Sequence, residues 1–350
     1  MKGSGEGQCM SELRLDPILN RWIIVAPARG MRPQEFDPDP QESERPSACP
    51  MCEGNERMTP NEIFAVRDHG EPDRPGWYVR VVPNKFPALR IEGDLEPRRD
   101  RLFARMDGVG AHEIVIETPD HTQDLAFMPQ EQIMRVVSAQ CQRVEDLQRD
   151  ARFRQVIVFR NHRRAAGATL GHPHSQVMAV PVIPRRIQDQ LAAAGSHHEK
   201  TGNCLFCDVL AQELEAAERV ILQTEHFVAF VPFASMQPYT AVIYPRQHGH
   251  QLPGITPVQR ADFAGVLRRV LLAYRAALFN PPYNLVYHTA PNTLVCGPEP
   301  DCEELAARYH WHVEIVPRIG IVAGFERGTG LYINPVAPES AARELSQGLE

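Results

Sequence analysis

The sequence has no apolar run approaching the roughly 20 residues that a helix needs to cross a bilayer. That excludes a helical membrane protein. Met1 to Ser11 is small and polar, without the apolar stretch and cleavage site of a secretory signal, so the chain is expected in the cytoplasm. Basic residues are not in excess: 37 Lys and Arg stand against 44 Asp and Glu, a net charge of −7. Such a balance leaves no electrostatic footprint for nucleic acid, and it counts against the one non-enzyme alternative, a two-zinc nucleic-acid-binding module. Cysteine is sparse, and in the cytoplasm thiols are expected to stay reduced. Of the 8 cysteines, four form two Cys-x-x-Cys pairs, Cys49/Cys52 and Cys204/Cys207, while Cys9, Cys141, Cys296 and Cys302 are scattered.

What is present is globular: 43% apolar and 23% charged over 350 residues, a length suited to two cores rather than one. The chain reads as a diverged repeat. Each Cys-x-x-Cys pair is followed by a strand-like stretch with a proline turn, Val81-Val82-Pro83 and Phe230-Val231-Pro232. Next come β-branched runs closed by a histidine, Glu113 to His121 and Thr240 to His248. A helix opened by proline follows, at Pro129 and Pro257, with apolar residues at the 3.6-residue period. The next strands, from Gln155 and from Tyr283, begin at the same interval after the two prolines. Each half ends in His-x-His and an apolar strand, at His172/His174 and at His310/His312. The halves divide at a polar linker near 195–203. Alternating strands and short turns predict an α+β fold of mainly antiparallel sheets with packed helices.

Two metal sites follow from the repeat. Zinc takes four ligands in a tetrahedron, mostly thiolate and imidazole. The first set is Cys49, Cys52, His121 and His172; the second is Cys204, Cys207, His248 and His310. His112, His226 and His250 lie close enough in sequence to substitute for a histidine ligand. Closed sites of this kind stabilise a fold rather than catalyse. A thioredoxin-like redox pair is disfavoured by the Pro-rich stretch before Cys49.

The segment from Asn161 to Gln176 concentrates the chemistry. Gly167 and Gly171 let a backbone approach a phosphate, Thr169 adds a hydroxyl, and Arg163 and Arg164 add positive charge. On a strand, His172, His174 and Gln176 project to one side. With His172 on a metal, His174 is anchored yet available as a nucleophile toward phosphorus, and Gln176 can donate to a phosphoryl oxygen.

The order Cys-x-x-Cys, Thr118-Pro119-Asp120-His121 and Gly167-Ala168-Thr169-Leu170-Gly171-His172-Pro173-His174-Ser175-Gln176 resembles the galactose-1-phosphate uridylyltransferase family, a branch of the histidine-triad superfamily. Asn20 to Arg29 with Arg32-Pro33, Asn84 to Leu89, Gly324-Phe325-Glu326 and Tyr332 to Pro335 extend the resemblance over about residues 11–340. It implies two tandem histidine-triad-like units, 11–194 with the nucleophile and first zinc site and 204–340 with the second metal site, in a homodimer. It further implies a ping-pong transfer of a nucleoside monophosphate between hexose 1-phosphates through a nucleotidyl-histidine at His174, with Gln176 steadying the phosphate. Arg29, Arg32, Asn84, Asn161, Gly167 and Thr169 match nucleotide and phosphate contacts; Phe325 and Glu326 match sugar contacts. UDP-glucose:hexose-1-phosphate uridylyl transfer leads. ADP-glucose phosphorolysis, with ADP-sugar as donor and phosphate as acceptor, is the alternative, and hydrolysis of dinucleoside polyphosphates a third. Departures point toward the plant ADP-glucose phosphorylase branch: Thr169-Leu170-Gly171 before the paired histidines, Ser175 before Gln176, Lys85 in place of an acid, and a Cys-Cys-His-His second site. Zinc is expected at both sites, with iron an alternative at the second.

Overall fold

A computed structural model describes residues 11–31, 49–295 and 302–349. Arg32, Cys9 and Cys296 lie outside the described residues. The first part of the chain runs β1 (Glu12–Asp16), β2 (Arg21–Val25), β3 (Phe64–Val66), β4 (Val79–Pro83), β5 (Arg98–Asp100), β6 (Phe103–Arg105), β7 (Ala111–Ile116), α1 (Gln130–Gln148), β8 (Gln155–His162) and β9 (His174–Val180). The second part runs α2 (Arg185–Thr201), α3 (Leu205–Ala216), β10 (Val220–Gln223), β11 (Phe227–Phe230), β12 (Ala241–Pro245), α4 (Pro257–Leu278), β13 (Tyr283–His288), α5 (Cys302–Arg308), β14 (His312–Pro317), α6 (Gly324–Thr329), β15 (Tyr332–Asn334) and α7 (Pro338–Gln347).

Ten strands form one sheet in the order β3-β4-β7-β9-β8-β13-β14-β12-β11-β10. Read inward from either edge, the order is the same pattern twice. The repeat seen in the sequence is therefore a repeat of topology, and the copies meet at the antiparallel β8–β13 seam, where Asn161 pairs with Asn284. Pairs within each copy are antiparallel as well. One parallel pair, β15 on β2, ties the chain's last strand to its early ones in a separate three-stranded sheet.

Helices α1 and α4 lie side by side on one face of the ten-stranded sheet. Their apolar stripes, Ile133, Val136, Val137, Val144 and Leu147 on α1 and Phe263, Val266, Leu267, Val270, Leu271 and Tyr274 on α4, close the main core against the inward residues of the strands. Each such side chain, fully buried, contributes about 1.5–3 kcal/mol before the cost of ordering it. Pro257 occupies the first turn of α4 behind a Thr256–Gln259 capping box, whereas Pro129 stands one residue ahead of α1.

The expected polar linker is instead helical. Residues 195–201 continue α2, which stops at Gly202 in the left-handed conformation (φ 77°). Ala194, together with Leu191 and Ala193, packs with α3, α5 and the strands of the second copy. Polar composition here marks one exposed helix face, not a break. No helix among the described residues is long and apolar enough to cross a membrane.

Candidate functional site

The outer face of the first copy gathers the histidines and the glutamine singled out in the sequence. Alternation along β9 turns Val177 and Ala179 into the helix-side core and turns His174 and Gln176 the other way. His174 pairs across the ladder with Ile116, and Gln176 with Ile114. His172 lies two residues ahead of the strand's first residue, and its backbone oxygen accepts a hydrogen bond from His174 Nδ1 at 2.7 Å. That bond fixes the tautomer, so Nε2 of His174 keeps its lone pair. Burial holds the His174 pKa below the ordinary value; the His172 carbonyl and Glu117 work in the other direction, and Arg160 works with burial. Glu117 and Arg160 form a buried pair at 3.0 Å.

His172 turns its own ring to the cysteines. Its Nε2 lies 2.7 Å from the Thr118 carbonyl, and its Nδ1 faces Cys49 Sγ at 3.7 Å and Cys52 Sγ at 3.6 Å. His121 Nδ1 lies 3.6 Å from Cys52 Sγ. The four ligand atoms all lie within 4.8 Å of one another. A tetrahedral zinc with ordinary bond lengths has sulfur–nitrogen edges of about 3.5 Å, so the donor set and its spacing fit the ion. The carbonyl on Nε2 is the outer support that metal-bound imidazoles commonly have. Burial pushes the Cys49 thiol up, which an ion would reverse by taking a thiolate.

The second cluster brings together Cys204, Cys207 and His248. His248 Nδ1 lies 3.3 Å from Cys207 Sγ, and its Nε2 contacts the Ala306 carbonyl at 2.9 Å. His310 is not one of these three, although its Nδ1 lies 3.4 Å from Cys207 Sγ. The hydrogen bond from Cys207 holds the Cys204 thiol below its ordinary range, and the same bond pushes the Cys207 thiol up. Cys141 is a free, buried thiol pushed up to about 12 by burial. Cys302 is disulfide-bonded, which departs from the expectation of reduced thiols throughout.

The loop from β8 to β9 is strained at its start. Arg163 has φ 69° and ψ 164°, a region almost reserved for glycine, and Gly167 is left-handed at φ 96°. Asn284, from the second copy, braces this loop: its Nδ2 donates to Asn161 Oδ1 and to the Ala166 carbonyl, both at 2.8 Å. Thr169 and Gly171 are exposed. Beside Gln176 stands His112 on β7, with Nε2 2.8 Å from Gln176 Oε1 and 3.1 Å from Asn84 Nδ2. In the sequence His112 stood out only as a substitute metal ligand; a histidine in the strand beside His-x-His-x-Gln was the available signal.

Other expected contacts lie elsewhere in the chain. Arg29 is exposed in the turn after β2. Phe325 and Glu326 are on α6, where Glu326 Oε2 accepts from the Ala323 backbone N–H. Among the described residues, no hydrogen bond or ring contact joins these three to the His174 strand.

The chain matches known proteins over nearly its whole length. Residues 5–184 match the galactose-1-phosphate uridyl transferase N-terminal domain, and 189–320 match the C-terminal domain. The chain is 34% identical to an ADP-glucose phosphorylase of Arabidopsis thaliana, over 99% of this chain and 96% of that one. It is 32% identical to a galactose-1-phosphate uridylyltransferase of Thermotoga maritima, over 97% and 98%. Among solved structures, an Arabidopsis thaliana ADP-glucose phosphorylase with bound ADP-glucose superposes with a TM-score of 0.82 at 32% identity, covering 97% of this chain and 98% of that one.

Proposed function

The chain belongs to the galactose-1-phosphate uridyl transferase family, and from that premise we propose that it moves a nucleoside monophosphate between sugar phosphates through a covalent link to His174. The Nε2 lone pair bonds to the α-phosphorus of a nucleotide sugar. The bond from that phosphorus to the bridging oxygen breaks, and sugar 1-phosphate leaves with the electron pair. A phosphate oxygen of a second sugar 1-phosphate then attacks the same phosphorus, and the electron pair of the breaking P–N bond returns to Nε2. The observation that carries this is the 2.7 Å bond from His174 Nδ1 to the His172 carbonyl. It aims the free nitrogen, and it stabilises the positive ring that forms as the phosphorus is taken up. Gln176 is the donor to the phosphoryl oxygens, and Asn84, Asn161, Gly167 and Thr169 line the nucleotide side.

The leading substrate reading is UDP-glucose with a hexose 1-phosphate such as galactose 1-phosphate. The second is ADP-glucose with inorganic phosphate as acceptor, favoured by the Cys204–Cys207–His248 cluster, a second site of the kind that the sequence resemblance ties to the plant branch. Zinc is proposed in the Cys49 and Cys204 sites, with iron an alternative in the latter; when bound, it supplies rigidity, fixing the His172 carbonyl beneath His174. A homodimer is proposed as well, as the family resemblance implies. The cytoplasmic placement is proposed on the two Cys-x-x-Cys pairs, with the disulfide at Cys302 counting against it. Units divided as 11–194 and 204–340 remain the proposed organisation, with α2 bridging them.

Intact-mass spectrometry after brief mixing with UDP-glucose or ADP-glucose tests the reading. One nucleoside monophosphate added to the protein, and lost in His174→Gly, is the expected result and names the base. No adduct from either donor would overturn the covalent route for these substrates.

A further inference from the structure

We infer that His112 is the positioning residue that sets which end of the Gln176 amide faces the phosphoryl group. The inference rests on the transfer reading above. Gln176 helps a developing phosphoryl charge only if its NH2 end points at it; the same side chain turned over presents its oxygen and repels. Something must therefore fix the amide.

The hydrogen bonds around His112 do so. The Ala88 backbone N–H donates to His112 Nδ1 at 3.2 Å. A nitrogen that accepts carries no hydrogen, so the ring's one proton is on Nε2. That N–H lies 2.8 Å from Gln176 Oε1 and donates to it. With its oxygen engaged, Gln176 has its NH2 end left for the substrate. The 3.1 Å approach of Asn84 Nδ2 to the same ring nitrogen sets two donors against each other in this tautomer, but the opposite tautomer would spoil both the Ala88 and the Gln176 bonds.

His112 is itself well held. Its backbone oxygen accepts from Asn84 N–H at 2.8 Å, and Asn84 Oδ1 accepts from Phe86 N–H at 2.9 Å. The Asn84–Ala88 loop thus sets the tautomer from one side while β7 sets the ring position from the other. The chain of dependence runs from Ala88 through His112 and Gln176 to the phosphoryl group. No carboxylate or metal is needed in it. In the second copy Glu314 holds the place that follows its His-x-His, and a carboxylate has no donor end to orient.

The test uses the full-length protein and whichever of ADP-glucose and UDP-glucose labels the wild type. His112→Phe keeps a flat ring and removes the donor. It should slow adduct formation at saturating donor by about tenfold to a hundredfold, while half-saturation moves much less. His112→Gln restores an N–H near the Nε2 position and should recover most of the rate. In a Gln176→Ala background, His112→Phe should cost nothing further, since its partner is gone. Equal loss in both backgrounds, or Phe and Gln variants behaving alike, would overturn the inference. A nitrogen-15 spectrum of the wild-type imidazoles needs no variant to fold: the Nε2–H tautomer at His112 is expected, and the Nδ1–H tautomer would overturn it. Absence of any adduct in the wild type would instead count against the transfer reading, and the tautomer would still decide the role of His112.

Discussion

Two copies of one unit share this sheet, with the same strand order, a thiol–imidazole cluster each, and a His-x-His at the head of an inner strand. They differ in what lies on their outer faces. In the first copy that face holds Cys49, Cys52, Trp77, Ile114 and Ile116, with no α-helix laid over it among the described residues. In the second, α2, α3 and α5 cover it through Ala194, Phe206, Leu210, Leu305 and Tyr309. His174 and His312 begin alike, each with Nδ1 against the carbonyl two residues back, at 2.7 Å and 3.1 Å. Yet the His312 ring is sandwiched between Tyr244 and His288, both with centroids 4.7 Å away. Two residues further on, Gln176 faces His112, while Glu314 is held by Arg186 at 2.8 Å. A neutral amide can serve a phosphoryl group; a buried carboxylate already paired with arginine cannot. The ladder and its thiol–imidazole cluster are thus common to both copies, and the covering of one face is what tells them apart.

The sharpest way to break this comparison is to remove each histidine in turn. His174→Gly should abolish adduct formation while metal content and folding stay unchanged. His312→Asn should leave adduct formation within a few fold and lower the melting temperature, because a stacked, buried ring is lost. Adduct formation lost equally in both variants, with folding intact, would mean that the second copy takes part in the chemistry.

A smaller effect separates the clusters. Cys49→Ser should halve the metal content measured by mass spectrometry or atomic emission, and should destabilise the fold by several kcal/mol. Because His172 supports His174, this variant should also slow transfer. Cys207→Ser should lose the other metal and cost similar stability, but leave the rate per folded molecule nearly intact. Equal damage to the rate would mean that the two sites are coupled through the β8–β13 seam.

Much of this asymmetry was beyond the sequence, for physical reasons. The succession of strands, the two helices that begin at or just after a proline, and the mainly antiparallel α+β character were legible because periodicity and spacing are local properties. The outer covering was not. Residues 195–201 read as a linker because Gly195, Ser196, His197 and His198 are polar, yet one buried stripe suffices to make a helix. The stacking of His288 on His312 joins the successive strands β13 and β14, and no local spacing announces it. His112 was visible only as a stray histidine, because its meaning depends on the Ala88 N–H across a loop.

The Glu314–Arg186 pair allows a test by pH. Burial works against the Glu314 charge, but Arg186 and His288 more than offset it and hold the carboxyl well below the usual carboxylate range. A lowered folded pKa adds stability that is complete above the ordinary glutamate value and is lost as pH falls below it. Glu314→Gln should therefore cost about 1–3 kcal/mol at pH 7. The difference from wild type should narrow as the pH of a denaturant series is lowered from 5 toward 3. A gap independent of pH would show that the pair acts through packing rather than charge.

The smallest effect concerns the strained turn before the phosphate loop. Arg163 holds a conformation that glycine adopts without penalty, whereas residues 283–295, the corresponding stretch of the second copy, contain no positive φ. Arg163→Gly and Arg163→Ala both remove the guanidinium, so any loss of phosphate attraction is common to them. They differ in strain, and in the greater freedom of glycine in the unfolded chain, which opposes it. Strain at such a position is worth about 1–3 kcal/mol. The glycine variant should thus stand about 1–2 kcal/mol above the alanine variant in urea melts, with similar rates of adduct formation. Equal stability would mean that the turn stores no energy, and that the loop's shape follows from the Asn284 brace alone.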